Sequence, residues 1–349
     1  INEVVANRGN AIAGKAILHP NDDVNMSPSS NDTFPTAMHI AAAMTVSGEL
    51  IPAIDRMIST LKRLEEENRG IVKSGRTHLQ DAVPIAFSQE ISGWRGMLET
   101  DREQLISSLE GLMQLAIGGT AVGTGLNAPE SFGEKVAERL REYTSLPFVS
   151  ASNKFRALTS TDRIVFAHGA MKDLAADMMK IANDVRWLSS GPRCGLGEIS
   201  IPENEPGSSI MPGKVNPVIP EVTNQVCFKV IGNDTCITMA SEAAQLELNC
   251  MDPGLVESMV ESITWMTNAL NTLRLECVDG ITANKKHCKA LAEHSIGIVT
   301  ALKPYIGYAK CTEVAKEALV TGGSVYQLVL DKKYLTKQKN RRSEERRVG

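Results

Sequence analysis

Aromatic side chains are scarce, at 4% of the 349 residues, while alanine is plentiful. That balance disfavours sheets and favours helices. No run of eighteen apolar residues occurs, so no spanning helix is expected. The seven cysteines (Cys194, Cys227, Cys236, Cys250, Cys277, Cys288 and Cys311) are odd in number, scattered, and form no Cys-x-x-Cys pair. A disulfide framework or zinc site is therefore not expected, and a reducing compartment is. No internal repeat is visible. The glycines at 118, 119, 123 and 125 follow no predicted strand, so they do not make a dinucleotide-binding fingerprint.

Charge is unevenly spread. The net charge is −4, yet residues 332–349 carry eight Lys or Arg against two Glu, leaving a body near −10. A body that acidic is a poor nucleic-acid binder. The basic end, 337–349, is expected to be a disordered tail without a function of its own.

What is present is helix. Asn2–Ala16 reads as the end of a helix closed by Gly14 and the turn His19-Pro20-Asn21-Asp22. A second helix follows the polar run Asn25–Thr33, passes Met38, Ile40 and Met44, breaks near Gly48–Pro52, and resumes to Glu67. From Ile85 to Asn127 there is no proline. The clearest pattern is Ile164, Ala167, Met171, Leu174, Met178, Ile181, Val185 and Leu188, which alternates spacings of three and four as a heptad seam does. Val222–Leu248 and Leu255–Cys277 are also proline-free, the second with a stripe at Val256, Val260, Ile263, Leu270 and Leu273. The fold class is all-α, a long central helical bundle with helices of roughly 40 Å. Narrow seams leave other faces to be buried against further subunits, so an oligomer is expected. After Asn284 shorter helices, Ser295–Lys303, Cys311–Val320 and Ser324–Leu330, predict a small helical C-terminal domain.

Between the long helices lies Gly197–Glu221, with five prolines and three glycines. Such a stretch cannot be a helix interior, and a long irregular loop in a helical protein is usually functional or disordered. It carries Ser208, Ser209, Lys214, Asn216 and Glu221. Two other polar segments punctuate the bundle, Ser29-Ser30-Asn31 and Thr77-His78. The first also reads as a helix cap, and a lone histidine in a loop is usually only a surface side chain. Together the three segments suit a small, oxygen-rich anion. Lys214 and Asn216 can hold a carboxylate and stabilise the charge that forms when the neighbouring carbon is deprotonated. Ser208 and His78 are the candidate base and acid, with Glu221 orienting His78. Serine needs loop closure and a nearby positive field to act as a base.

Gly207-Ser-Ser-Ile-Met-Pro-Gly-Lys-Val-Asn-Pro217 resembles the signature of the fumarase/aspartase superfamily, and Ser27–His39 and Gly75–Ala82 resemble its other two regions. The resemblance extends to about Leu335. It implies an all-α homotetramer with active sites shared between subunits and reversible anti elimination from a succinyl skeleton to fumarate. By position it implies that Ser208 removes the C3 proton, that Lys214, Asn216 and Thr77 bind the aci-carboxylate, and that His78, paired with Glu221, acts through a water. Ser29, Ser30 and Asn31 then bind substrate carboxylate and hydroxyl. His19, Asn21 and Asp22 match a second, non-catalytic dicarboxylate site. No metal or other cofactor is implied, and the partner is a small dicarboxylate, with neither nucleic acid nor membrane.

Ser29–His39, Ser88–Trp94 and Ile199–Pro206 resemble the class II fumarases of that family. Val218–Asp234 and Gly280–Asn284 are more similar to its aspartate ammonia-lyases. Hydration of fumarate to L-malate is the expected reaction, with deamination of L-aspartate and a non-enzymatic scaffold as alternatives. The implied organisation is a remnant of an N-terminal domain at 1–30, a central bundle at 31–285 with its catalytic loop at 197–221, and a C-terminal domain at 286–336. The family's Gly-Ser-Gly-Thr segment falls upstream of Ile1, and without its threonine this chain is expected to be slow. A cytoplasmic location is expected, or a mitochondrial one in a eukaryote.

Overall fold

The computed structural model of the chain describes residues 1–336, so the basic tail at 337–349 lies outside the described residues. The regular structure is overwhelmingly helical. α1 (Asn2–Ala13) ends at Gly14, and the turn after it is a π-helical segment, Pro20–Val24. α2 (Ser30–Thr45) and α3 (Ile51–Glu67) are joined by π-helical residues Val46–Leu50. The expected break near Gly48–Pro52 is thus a widened turn. Pro52 has no N–H to return to a carbonyl four residues earlier, and the ladder accommodates this by opening locally. By length and composition Ser30–Glu67 is apolar enough to cross a membrane, but half of its most apolar window is buried in the fold, as in a core helix.

The segment around Gly75 is a hairpin that the sequence reading did not anticipate. β1 (Val72–Thr77) pairs antiparallel with β2 (Gln80–Ala86), in register from Val72 opposite Ala86 to Thr77 opposite Gln80. The register shifts between Ser74 and Arg76. A Cβ on Gly75 would stand 2.6 Å from the Val83 carbonyl oxygen, so the irregular pairing requires glycine there. α4 (Phe87–Leu112) follows, then β3 (Gln114–Leu115), α5 (Phe132–Thr144), β4 (Val149–Ser150) and α6 (Lys154–Thr159). β3 and β4 pair in parallel.

α7 (Asp162–Leu188) buries all eight residues of its predicted heptad seam. β5 (Ile199–Ser200) lies in the long loop, and α8 (Val218–Glu242) begins just inside the loop's end. α9 (Asp252–Glu276) corrects one expectation. Its buried stripe is Leu255, Met259, Ile263, Met266, Leu270 and Leu273, while Val260 is 41% exposed. The predicted stripe began one residue late, and only its last three members share the buried face. β6 (Thr282–Ala283) pairs antiparallel with β5. The chain continues through α10 (Lys285–His294), a 3-10 segment (Ile296–Leu302), α11 (Lys303–Ile306), α12 (Tyr308–Thr321) and α13 (Val325–Asp331). Ile298, Leu302, Cys311, Val314, Val325 and Val329 form a core of their own in this last stretch.

Two compact units divide the chain. Unit 1 comprises Ile1–Ala53, Asp101–Ala175 and Val226–Thr267; unit 2 comprises Ile54–Thr100, Ala176–Gln225 and the residues from Asn268 onward. In unit 2, Trp94 is almost fully buried, stacks edge-on against Phe87, and donates its indole N–H to Asp184 at 2.9 Å.

Unit 1 holds a buried polar clasp among α7, α8 and α9. The His168 ring, wholly buried, lies 3.0 Å from the Asp234 carboxylate through Nδ1 and 2.9 Å from Ser262 Oγ through Nε2. Lys172 donates to the other Asp234 oxygen at 2.6 Å, and Asn233 donates to Ser262 at 3.0 Å. Burial pushes the His168 pKa down despite Asp234. For Asp234, burial acts upward, but the hydrogen bonds from Lys172 and His168 outweigh it and hold the carboxyl low. His39, buried against the Leu112 carbonyl, is pushed down from 6.5 to about 4.

All three groups bind fewer protons in the folded than in the unfolded state. Their contribution is therefore complete above the ordinary histidine value and is lost as pH falls. Urea unfolding should show stability declining from pH 6.5 toward about 4. His168→Ala should cost about 2–4 kcal/mol near neutral pH, because it leaves buried partners unsatisfied. Its deficit should shrink in acid; a deficit independent of pH would sink this account.

Candidate active site

The long loop carries the densest polar chemistry. It is closed on itself where the Ser208 amide donates to the Lys214 carbonyl at 3.1 Å and the Lys214 amide donates to Met211 at 3.1 Å. Gly207 sits at φ 84°, and a Cβ there would lie 2.7 Å from the Lys214 oxygen, so only glycine permits the closure. Lys214 Nζ donates to Asn216 Oδ1 at 2.8 Å, and the Asn216 amide reaches Glu205 at 3.4 Å. Lys214, Asn216 and Arg186 line a cleft of about 970 Å³ in unit 2. The Lys214 side chain is exposed and Ser208 is half-buried. An ammonium beside an amide at a cleft can receive a carboxylate and hold added negative charge.

Thr77 and His78 occupy the tip of the β1–β2 hairpin. His78 and Leu79 are the two turn residues, at φ 54° and 58°. A two-residue hairpin turn with both φ values positive matches strand twist but normally selects Asn and Gly. Here an imidazole and an isobutyl group take those positions, at a cost in backbone strain. Both side chains are exposed. Glu221 sits in the first turn of α8, 3.5 Å from Arg186. Among the described residues no hydrogen bond joins it to His78 within the chain.

Ser29, Ser30 and Asn31 open α2 in unit 1. Ser29 is the N-cap: its Oγ accepts from the Asn31 amide at 3.1 Å, and Asp32 accepts from the Ser29 amide at 2.9 Å. The cap reading of this segment is thus realised, and the hydroxyl of Ser30 remains exposed beside it. Asp32 is fully buried and also accepts from the Gly118 and Thr120 amides, at 3.0 and 2.9 Å. Asn31 donates to the Ala121 carbonyl at 2.9 Å. The glycine-rich turn at 118–125 is therefore a docking surface for the start of α2. His19 Nδ1 accepts from the Asn21 and Asp22 amides at 3.3 Å each, and Asp22 Oδ2 is 3.1 Å from the same nitrogen. These three residues share one exposed turn.

The comparisons with known proteins converge. The profile of the family described as Lyase matches residues 1–232, and that of Fumarase C C-terminus matches residues 298–342. Class II fumarate hydratase of Helicobacter pylori strain J99 is 49% identical over 341 residues, covering 96% of this chain and 74% of that protein. The Bacillus subtilis strain 168 protein of the same name is 48% identical over 342 residues, covering 97% and 74%. The chain belongs to the lyase family of the class II fumarate hydratases. The crystal structure of class II fumarase from Schistosoma mansoni superposes with a TM-score of 0.90 at 36% identity, covering 97% of this lyase and 75% of that chain. A fumarate lyase:delta crystallin from Brucella melitensis gives 0.93 at 41% identity, covering 98% and 75%. The match to the fumarate hydratases extends over 96% of the lyase, so it includes most of the portion after Val218, where the sequence leads us to expect segments closer to the aspartate ammonia-lyases.

Within unit 2 the structure brings Lys214, Asn216 and Ser208 into one closed loop; Thr77 and His78 stand on a separate hairpin, and Glu221 begins a helix. Sequence reasoning missed the buried carboxylates behind these segments. Asp32 had a signal, since Ser29-x-x-Asp32 has the spacing of a capping box. Glu198 had none.

Two substitutions test the local geometry. Leu79→Gly should stabilise the protein by about 0.5–1 kcal/mol, because glycine accepts positive φ without steric cost. Asp32→Ala should cost about 2–4 kcal/mol by orphaning three backbone amides. Equilibrium denaturation checks both, and a destabilised Leu79→Gly would contradict the strain assigned to the turn.

Proposed function

We propose that this lyase adds water reversibly to fumarate to give L-malate, at a site completed by several copies of the chain. The observation that carries the reading is the Lys214–Asn216 pair at the cleft, 2.8 Å apart and held by a loop that only glycine at 207 allows. In the malate-to-fumarate direction, Ser208 takes the C3 proton. The electron pair left behind is held as an aci-carboxylate by Lys214, Asn216 and Thr77, then forms the C2–C3 double bond as the C2 hydroxyl leaves. His78, charged or oriented by Glu221, protonates that hydroxyl through a water, so that it departs as water. Ser29, Ser30 and Asn31 hold the remaining carboxylate and the hydroxyl. His19, Asn21 and Asp22 form a second, non-catalytic site for a dicarboxylate.

The substrate is a dicarboxylate and the protein is oligomeric; the finer reading is a homotetramer with shared sites. Supporting it, the reactive groups of Ser30, His78 and Lys214 are exposed in the single chain. Productive catalysis needs them enclosed, since exclusion of water strengthens the electrostatics. The long helices also expose large apolar side chains. Phe166, Trp187, Phe228 and Met239 are each more than half exposed, which marks surfaces awaiting another subunit. Seven free cysteines support a cytoplasmic location.

Following fumarate absorbance with the full-length protein should show release from L-malate and none from L-aspartate. Ser208→Ala should lower kcat by about 10²–10⁴-fold, the range for loss of a general base, with an unaltered melting curve. Release from L-aspartate alone would transfer the reading to deamination.

A further inference from the structure

Glu198 stands one residue inside the root of the loop and is fully buried. Its backbone is fixed on every side. Its amide donates to the Leu188 carbonyl at 2.8 Å, and its own carbonyl accepts from the Asn284 amide at 2.8 Å and from the Cys288 thiol. The Asn284 side chain donates to the neighbouring Gly197 carbonyl at 2.6 Å. Its carboxylate points the other way, into the β1–β2 hairpin. There Oε2 meets Arg76 Nη1 at 2.9 Å and Lys73 Nζ at 3.1 Å. Lys73 is 2% exposed and shared with Glu90 at 2.9 Å, so two cations and two anions balance. Burial raises the Glu90 pKa against the pull of Lys73.

This arrangement is poor value as stability alone. Buried ion pairs seldom outperform apolar packing of the same shape, and the second oxygen, Oε1, is buried with no hydrogen-bond partner among the described residues. What it does accomplish is geometric. Arg76 immediately precedes Thr77 and His78, and Glu198 immediately precedes the β5 segment that leads to Ser208, Lys214 and Asn216. One carboxylate thus ties the hairpin that presents the imidazole to the root of the loop that presents the serine, lysine and amide. The hairpin also packs against α10 and the 3-10 segment, and α10 and Asn284 hold the backbone of the loop root, but the Glu198 carboxylate is a side-chain link made directly between the two segments.

We propose that Glu198, through Arg76 and Lys73, is a positioning residue that holds the Thr77–His78 turn and the Ser208–Asn216 loop in one frame. The functional part of this inference rests on the hydratase reading of the site. It acts through other residues and touches no reacting atom. Losing the frame displaces groups that must be set to within a fraction of an ångström, and displacement of about 1 Å costs on the order of 10²-fold in rate.

The test compares Glu198→Gln with Glu90→Gln in the full-length protein. Both remove a charge from the same buried cluster, but among the described residues the ion pair of Glu90 is with Lys73, while Arg76 pairs with Glu198. Melting temperature, oligomeric state, kcat and KM on L-malate, and amide hydrogen exchange are read for each. Glu198→Gln should keep the oligomer, lower kcat by about 10–100-fold with a much smaller change in KM, and speed exchange at both 76–80 and 207–216. Glu90→Gln should leave kcat within about threefold and exchange at those segments unchanged. Should Glu198→Gln fail to fold, Arg76→Gln cuts the same link from the hairpin side and must give the same two effects. Equal losses of kcat in step with melting temperature for both glutamates would reduce Glu198 to a structural role and overturn the proposal, as would unchanged exchange in the two segments. An inactive wild-type protein would refute the hydratase reading, while the exchange data would still decide whether Glu198 sets the frame.

Discussion

A loop that carries reactive side chains has little ladder of its own, so its position must be imposed from its ends. That constraint shapes unit 2. Between the close of α7 and the start of α8, the chain cannot form a helix because proline recurs every few residues. Its fixed points are the β5–β6 pairing, the carbonyls of Leu196, Gly197 and Glu198 that accept from α10 and the residue before it, and the Glu198 carboxylate in the hairpin. α10 therefore matters to the site although it carries no catalytic group. Without donors from Asn284 and His287, the Leu196 and Gly197 carbonyls would lose these partners and the Glu198 carbonyl would keep the Cys288 thiol.

The same solution recurs in unit 1 with different chemistry. The start of α2 presents Ser29–Asn31, and a single buried carboxylate behind it, Asp32, accepts from three amides. Among the described residues no ion pair is formed by Asp32; its charge is met by converging N–H dipoles, as at an anion-binding nest, with Lys154 attracting it at longer range. At Glu198 the balance comes from side-chain cations instead. Asp32 serves segments within one turn of itself and a neighbouring loop, where amides are always available. Glu198 must reach across to a strand whose amides are already committed to a partner strand, so the link has to be made by long side chains.

Legibility in the sequence follows from how local each cause is. The α7 seam was readable because eight apolar residues repeat at one period, and the structure buries every one. The α9 stripe was half readable: Val256 and Val260 are apolar, but the buried face is set by Leu255 and Met259, and composition cannot choose between adjacent faces. The hairpin was opaque for a sharper reason. Its turn is His78-Leu79, which local preference would not select, and its strands include Lys73 and Arg76, whose burial depends on Glu90 and Glu198 far away in sequence. Polar segments were found as candidates because their residue types are chemically distinctive. The carboxylates that hold them were not, since an aspartate or glutamate next to a motif looks the same whether it is solvated or buried.

That asymmetry bears on how the lyase works. The strained turn, the glycine-dependent closure at 207 and the partly unsatisfied Glu198 carboxylate all lie around the candidate site, where local preference and global structure disagree. Each disagreement sits within a well-packed unit 2, where the buried Trp94 donates to Asp184 of α7. The helices supply stability through many small apolar contacts that sequence makes visible. The site draws on that stability to hold a few groups where no local preference would leave them. A lyase built this way can vary much of its helical surface while the hairpin, the loop root and the buried carboxylates stay coupled, because a change at any one of them shifts the groups presented by the others.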